Sequence, residues 1–152
     1  MKHPRVIRKL VVVLGDQLNH QALALDGFDD SVDVIWMAEV HAENLHVPSH
    51  KARSVLFLSA MRHFCAEQQG IGRRVLYHPL SERQQSLASA LEKTISDHQI
   101  KKVVLTKPGD FRVERSLSNI LDEHNQNYEI LRDSHFICDP DDFKSFGAND
   151  KK

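Results

Sequence analysis

Val103-Val104-Leu105-Thr106-Lys107-Pro108-Gly109-Asp110-Phe111-Arg112-Val113 is the stretch on which the fold turns. A short apolar run meets Pro and Gly side by side, and a helix-periodic segment follows, with Leu117, Ile120, Leu121 and His124 on one face. Pro fixes φ and ends regular pairing, so Pro108-Gly109 forces a sharp loop between a buried strand and a helix. The same junction opens the chain, where Leu10–Leu14 runs into Gly15-Asp16-Gln17-Leu18. Loops at the carboxyl ends of parallel strands are where open α/β sheets form their ligand crevices.

Val34–Ala38 and Val75–Tyr77 are two further apolar runs, and Tyr128–Leu131 is a weaker one. The runs at Leu10, Val34 and Val103 are continuous rather than alternating, as suits strands covered on both faces. Helical spacing extends from His50 to Gln69 through Ala52, Val55, Leu56, Ser59, Ala60 and Phe64, with Gly70 and Gly72 to end it. It recurs from Ser86 to His98 through Leu87, Leu91 and Ile95, and from Arg112 to Asn125 through Val113, Leu117, Ile120 and Leu121. This alternation predicts an α/β fold, a three-layer Rossmann-like sandwich whose five-stranded parallel sheet has the order 3-2-1-4-5. In that order the first and fourth strands meet at the switch point, and the two loops lie side by side. Residues 1–143 read as one domain, and the charged residues 144–152 read as a linker or tail.

The chain has 152 residues, a formal net charge of −1 and ordinary globular apolar content. Duplex DNA binders usually carry a basic excess, which is missing here, so direct nucleic-acid binding by this chain is not expected. Cys65 and Cys138 are far apart and too few for a four-cysteine metal or cluster site, which suits a reducing compartment. The basic N-terminus lacks a signal-peptide pattern and no apolar run reaches membrane-span length, so the expected location is cytoplasmic, with no membrane partner.

The chemistry-bearing candidates are few. Gly15-Asp16-Gln17-Leu18 is neither a G-x-G-x-x-G nor a Walker loop. Asp16 is either a local cap or a carboxylate at the crevice rim. Glu39 directly follows Trp36-Met37-Ala38 and either points to solvent, the usual place for Glu, or bonds a polar ligand edge. His41, His46 and His50 span a loop containing Pro48 and match no metal motif, so no metal site is expected. Ser49 is the better account of that segment, as N-cap of the helix that follows. No G-x-S-x-G elbow exists, and Cys65 within a helix reads as a buried structural thiol.

The motifs in order are Leu14-Gly15-Asp16-Gln17-Leu18, Ala38-Glu39-Val40, His50-Lys51, Ser59-Ala60-Met61-Arg62-His63-Phe64, Pro108-Gly109-Asp110-Phe111-Arg112-Val113, Phe136-Ile137-Cys138 and Asp141-Asp142-Phe143. From about Leu10 to Phe143 the chain resembles the N-terminal domain of the cryptochrome/photolyase-related proteins, the bacterial iron–sulfur branch of the photolyases. The resemblance implies a domain that holds an antenna chromophore similar to a ribityl lumazine. The implied site comprises Gly15, Asp16, Leu18 and Glu39, with Thr106, Pro108 and Gly109 across the switch point, and no catalytic residue. Complete members resemble light-driven (6-4) DNA-repair flavoproteins, whose FAD, iron–sulfur cluster and DNA-binding surface belong to a helical domain that follows. A chain ending at Lys152 implies a truncated, split or disrupted gene, inactive in repair alone, or a module that docks on a helical flavin-binding domain in trans. A nucleotide-binding α/β enzyme is the remaining alternative. The family usually has Glu at the position of Lys107 and often Trp at that of Phe111.

Overall fold

The computed structural model describes residues 6–40, 50–136 and 143–146. Five strands form one parallel sheet: β1 (Val6–Val12), β2 (Val34–Ala38), β3 (Val75–His78), β4 (Gln99–Thr106) and β5 (Tyr128–Leu131). Their order is β3-β2-β1-β4-β5, as the alternation predicts. Three α-helices occur among the described residues: α1 (Lys51–Gly70), α2 (Leu87–Asp97) and α3 (Phe111–Glu123). The β1–β2 connection carries only a 3-10 turn, Leu23–Leu25.

Side chains alternate across each strand, so the sheet sorts its apolar residues into two cores. Leu10, Val12, Val34, Trp36, Val103 and Leu105 meet Ala90 and Leu91 of α2 and Leu117 and Leu121 of α3. On the other face Val11, Val13, Ile35, Met37 and Val104 meet Met61, Phe64 and Cys65 of α1. The indole of Trp36 is fully buried, and its N–H donates to Thr94 Oγ1 at 2.9 Å, which ties β2 to α2. Burial pushes the Cys65 thiol above its ordinary pKa, which keeps it protonated and inert.

Two strands extend beyond their apolar runs. β1 begins at Val6 and β4 at Gln99, because Val6 pairs with Gln99 and Lys9 with Lys102 in one continuous parallel register. The polar residues there are satisfied locally. Arg8 donates through Nε to Asp33 Oδ1 at 2.9 Å, and the Lys9 ammonium reaches the Asp26 carbonyl at 2.8 Å. The cap of α1 is also corrected. His50, rather than Ser49, occupies the N-cap position, and its Nδ1 accepts from the Ala52 N–H at 3.2 Å. Ser49 lies outside the described residues, as do His41, His46 and Cys138.

The apolar face assigned to the first half of α1 is not a buried face. Val55 and Leu56 are 67% and 72% exposed; Leu58 packs against the core half-buried, and fully buried residues begin at Met61. Within residues 144–152, the described residues 144–146 complete a short helical turn that begins at Phe143, and Phe143 and Phe146 are both exposed.

Asp33 precedes β2 and is wholly buried at the amino-terminal edge of the sheet. Arg8 grips both of its oxygens, and the backbone N–H groups of Lys9 and Asp29 donate to them at 3.1 and 2.8 Å. Replacing the carboxylate leaves those two backbone donors without an acceptor. Asp33→Ala is therefore expected to lower the unfolding free energy by about 2 kcal/mol, read from urea denaturation midpoints.

Candidate functional site

The turn after β1 and the loop after β4 meet at the switch point. The Gln17 N–H donates to the Leu14 carbonyl at 3.0 Å, closing a turn with Gly15 and Asp16 at its centre. Gln17 then crosses to the other loop, where its Nε2 donates to the Lys107 carbonyl at 2.9 Å. Its Oε1 is buried with no hydrogen-bond partner among the described residues.

Between these loops and the first turns of α1, α2 and α3 lies a crevice of about 320 Å³. Of the residues expected there, Gly15, Asp16, Glu39, Pro108 and Gly109 line it. Leu18 and Thr106 do not. Leu18 packs into the core beneath α1, and Thr106 is buried at the end of β4, paired with Leu131. Lys107 and Phe111 also stand outside the lining, and both are exposed. The rest of the wall is apolar, with Leu14, Ala38 and Val40 from the sheet side and Phe57, Leu58 and Met61 from α1. Val113 and Leu87 supply the walls from α3 and α2, and Arg53, Ser54 and Asp110 bring polar groups. Periodicity did not single out the α1 contributors for a site, because Phe57 and Arg53 lie off the apolar stripe read from the sequence.

The two glycines differ in what they do. A Cβ on Gly15 would lie 2.4 Å from Phe57 Cζ and 2.8 Å from Met61 Sδ, so its close approach serves the packing of α1 rather than a ligand. A Cβ on Gly109 would meet nothing within 4 Å, so that wall opens into free space. Asp110 caps α3, accepting from the Arg112 N–H at 2.8 Å.

Glu39 takes neither course expected of it. Its side chain is buried, and every lone-pair direction of the carboxylate meets a protein donor. Arg62 spans both oxygens, Nε to Oε1 at 2.7 Å and Nη2 to Oε2 at 2.9 Å. The Tyr77 hydroxyl donates to Oε1 at 2.5 Å, and the Leu80 N–H to Oε2 at 2.8 Å. One carboxylate thus joins the ends of β2 and β3 to α1 and closes the floor of the crevice. Oppositely charged Glu39 and Arg62 are both plain in the sequence, but 23 residues separate them and nothing local announces the pairing.

Burial pushes the Glu39 carboxyl up, but the hydrogen bonds from Arg62, Tyr77 and Leu80 outweigh it and hold the pKa below its ordinary 4.5. Asp33 likewise falls below 3.8, where burial opposes the Arg8 and backbone bonds. Burial, reinforced by Glu39, raises the Tyr77 hydroxyl above 10.0. In the acid range the unfolded chain then binds more protons than the folded one, so stability climbs with pH through that window. The carboxylate contributions are complete above about pH 5 and are lost as pH falls through the lowered folded values. The Tyr77 contribution has the opposite sense: complete below pH 10, it is lost as pH rises toward the raised folded value. Melting temperatures followed by circular dichroism should therefore form a plateau between these limits. Glu39→Gln should flatten the acid limb, and Tyr77→Phe the alkaline one.

Among the described residues there is no cluster of three metal-ligating side chains, and no helix long and apolar enough to cross a membrane. Compared with known proteins, the chain is 32% identical to a (6-4) photolyase of Agrobacterium fabrum (strain C58 / ATCC 33970) over 145 residues. That match covers 94% of this chain and 29% of the relative, so the chain spans less than a third of that protein's length. Residues 11–152 match the deoxyribodipyrimidine photo-lyase-related proteins, and with the five-stranded sheet in place the chain belongs to that family.

Proposed function

We propose that this chain is the antenna-chromophore domain of a photolyase-type protein, holding a ribityl lumazine in the switch-point crevice and having no repair activity of its own. The observation that carries this reading is the crevice itself: an apolar slot of ligand size with polar groups at its mouth. Such a chromophore supplies light absorption and passes excitation energy to an acceptor. The chain's part is to bind it, orient it and keep water away.

Apolar walls at Ala38, Val40, Met61 and Val113 suit a flat ring, and Asp16 and Ser54 suit a chain of hydroxyls. Glu39 enters as the group that holds the floor rather than as a ligand contact, since its lone pairs are occupied. Titration of the protein with a ribityl lumazine, followed by ligand fluorescence, should give saturable one-to-one binding. Absence of saturation would overturn the reading.

A specific surface feature favours a second role alongside the first. Val55, Leu56 and Phe111, each about 70% exposed, adjoin the crevice-lining Ser54 and Asp110. Exposed apolar side chains at the crevice-side ends of α1 and α3 suit a docking face, here for a helical flavin-binding domain. Co-sedimentation with such a domain expressed separately tests it, and Leu56→Asp should abolish the complex.

A further inference from the structure

Four charged side chains line the switch-point crevice among the described residues: Asp16, Glu39, Arg53 and Asp110. Two of them are already matched by arginines from outside the lining. Arg62 spans the Glu39 carboxylate, and Arg112 Nη2 donates to Asp110 Oδ2 at 2.6 Å. Asp16 and Arg53 remain. They do not pair with each other, and neither has another ion-pair partner among the described residues. Arg53 is the one cation among those residues that lines the crevice, and no carboxylate there claims its guanidinium.

The helix that carries Arg53 grades from polar to apolar along one face. Arg53, Phe57 and Met61 all line the crevice, and their spacing of four residues puts them in one row of α1. Arg53 is exposed, Phe57 is 38% exposed and Met61 is buried, so the row descends from the mouth into the crevice. Eight residues of helix measure roughly 12 Å, the reach of a fused ring followed by a short polyol chain. A flat ring seated by Met61 therefore sends its chain up this row toward Arg53. We propose, resting on the antenna reading of this crevice, that its ligand ends in a phosphate held at the mouth by Arg53. The preferred ligand is then a polyol phosphate carried on a flat ring, rather than the free polyol. The planar guanidinium matches a phosphate in two parallel hydrogen bonds, and no carboxylate among the described residues competes for it. Asp16, on the β1 turn, accepts from chain hydroxyls, and its charge turns a phosphate away from that wall and toward α1.

The test compares a ribityl lumazine with its 5′-phosphate, which differ only in the anion. Both are titrated by ligand fluorescence at about pH 8, where the phosphate is a dianion. The phosphate is expected to bind about tenfold tighter, with the margin narrowing as salt is added. Arg53→Met keeps an apolar stem and removes the charge, so it should erase the margin, with a melting curve recorded alongside. Arg115→Met removes an exposed cation of α3 that lies outside the lining, and it should keep the margin. Equal affinity of the wild type for the two ligands overturns the phosphate assignment and leaves the antenna reading in place. A margin that survives Arg53→Met does the same, because the anion is then held elsewhere. Binding of neither ligand overturns both.

Discussion

Glu39→Ala is expected to lower the unfolding free energy by about 3 kcal/mol, the largest effect of any single change near the crevice. The substitution removes a carboxylate with four donors and replaces it with nothing that accepts. Arg62 keeps more than half its side chain in water and can turn outward. The Leu80 N–H and the half-buried Tyr77 hydroxyl have no such route and carry most of the loss. For a domain of this size that corresponds to a fall of about 6 to 12 °C in Tm. Glu39→Gln keeps the shape but turns an amide N–H₂ toward Arg62 or Tyr77, so it should fall between wild type and Ala. Chemical denaturation of the three proteins checks the order. A loss below about 0.5 kcal/mol for Ala would show that the clamp does not hold the floor. The distinction matters for ligand experiments. Weakened chromophore binding by Glu39→Ala would reflect a collapsed wall, and it tests the site poorly unless stability is measured alongside.

Gly109→Trp is expected to abolish chromophore binding, an affinity loss of roughly a hundredfold or more, at little cost to the fold. Gly109 is exposed, its φ is not in the left-handed region, and a Cβ there meets no atom within 4 Å. A side chain added at that point enters open space and leaves the core alone, so the stability change should stay within about 0.5 kcal/mol. An indole occupies much of a crevice of about 320 Å³, and a flat ring cannot share it. Lumazine titration of wild type and variant, each with a matched melting curve, gives the answer. Undiminished binding by a folded Gly109→Trp protein would place the ligand elsewhere. The contrast with Gly15 is instructive. A side chain at Gly15 collides with Phe57 and Met61, so changes there alter packing and pocket together.

Much of this protein's fold is legible in its sequence. Apolar runs at Leu10, Val34, Val75, Val103 and Tyr128, separated by helical spacing, determine a parallel sheet covered on both faces. The reason is local: side-chain period and turn chemistry act within a few residues of the chain. The adjacency of the Gly15 and Pro108-Gly109 loops follows from strand order alone. What only the tertiary structure decided is how distant groups are spent. Leu18 and Thr106 sit beside the right loops in sequence, yet the strand pleat and the packing of α1 turn them into the interior. In the first half of α1 it is Phe57 and Leu58, not the stripe read from the sequence, that turn to the crevice and the core, so Val55 and Leu56 remain in solvent. Glu39 looked like a surface or ligand group because a carboxylate is costly to bury unpaired. Its partners come from residues 62, 77 and 80, brought to it only when β2, β3 and α1 close on one another.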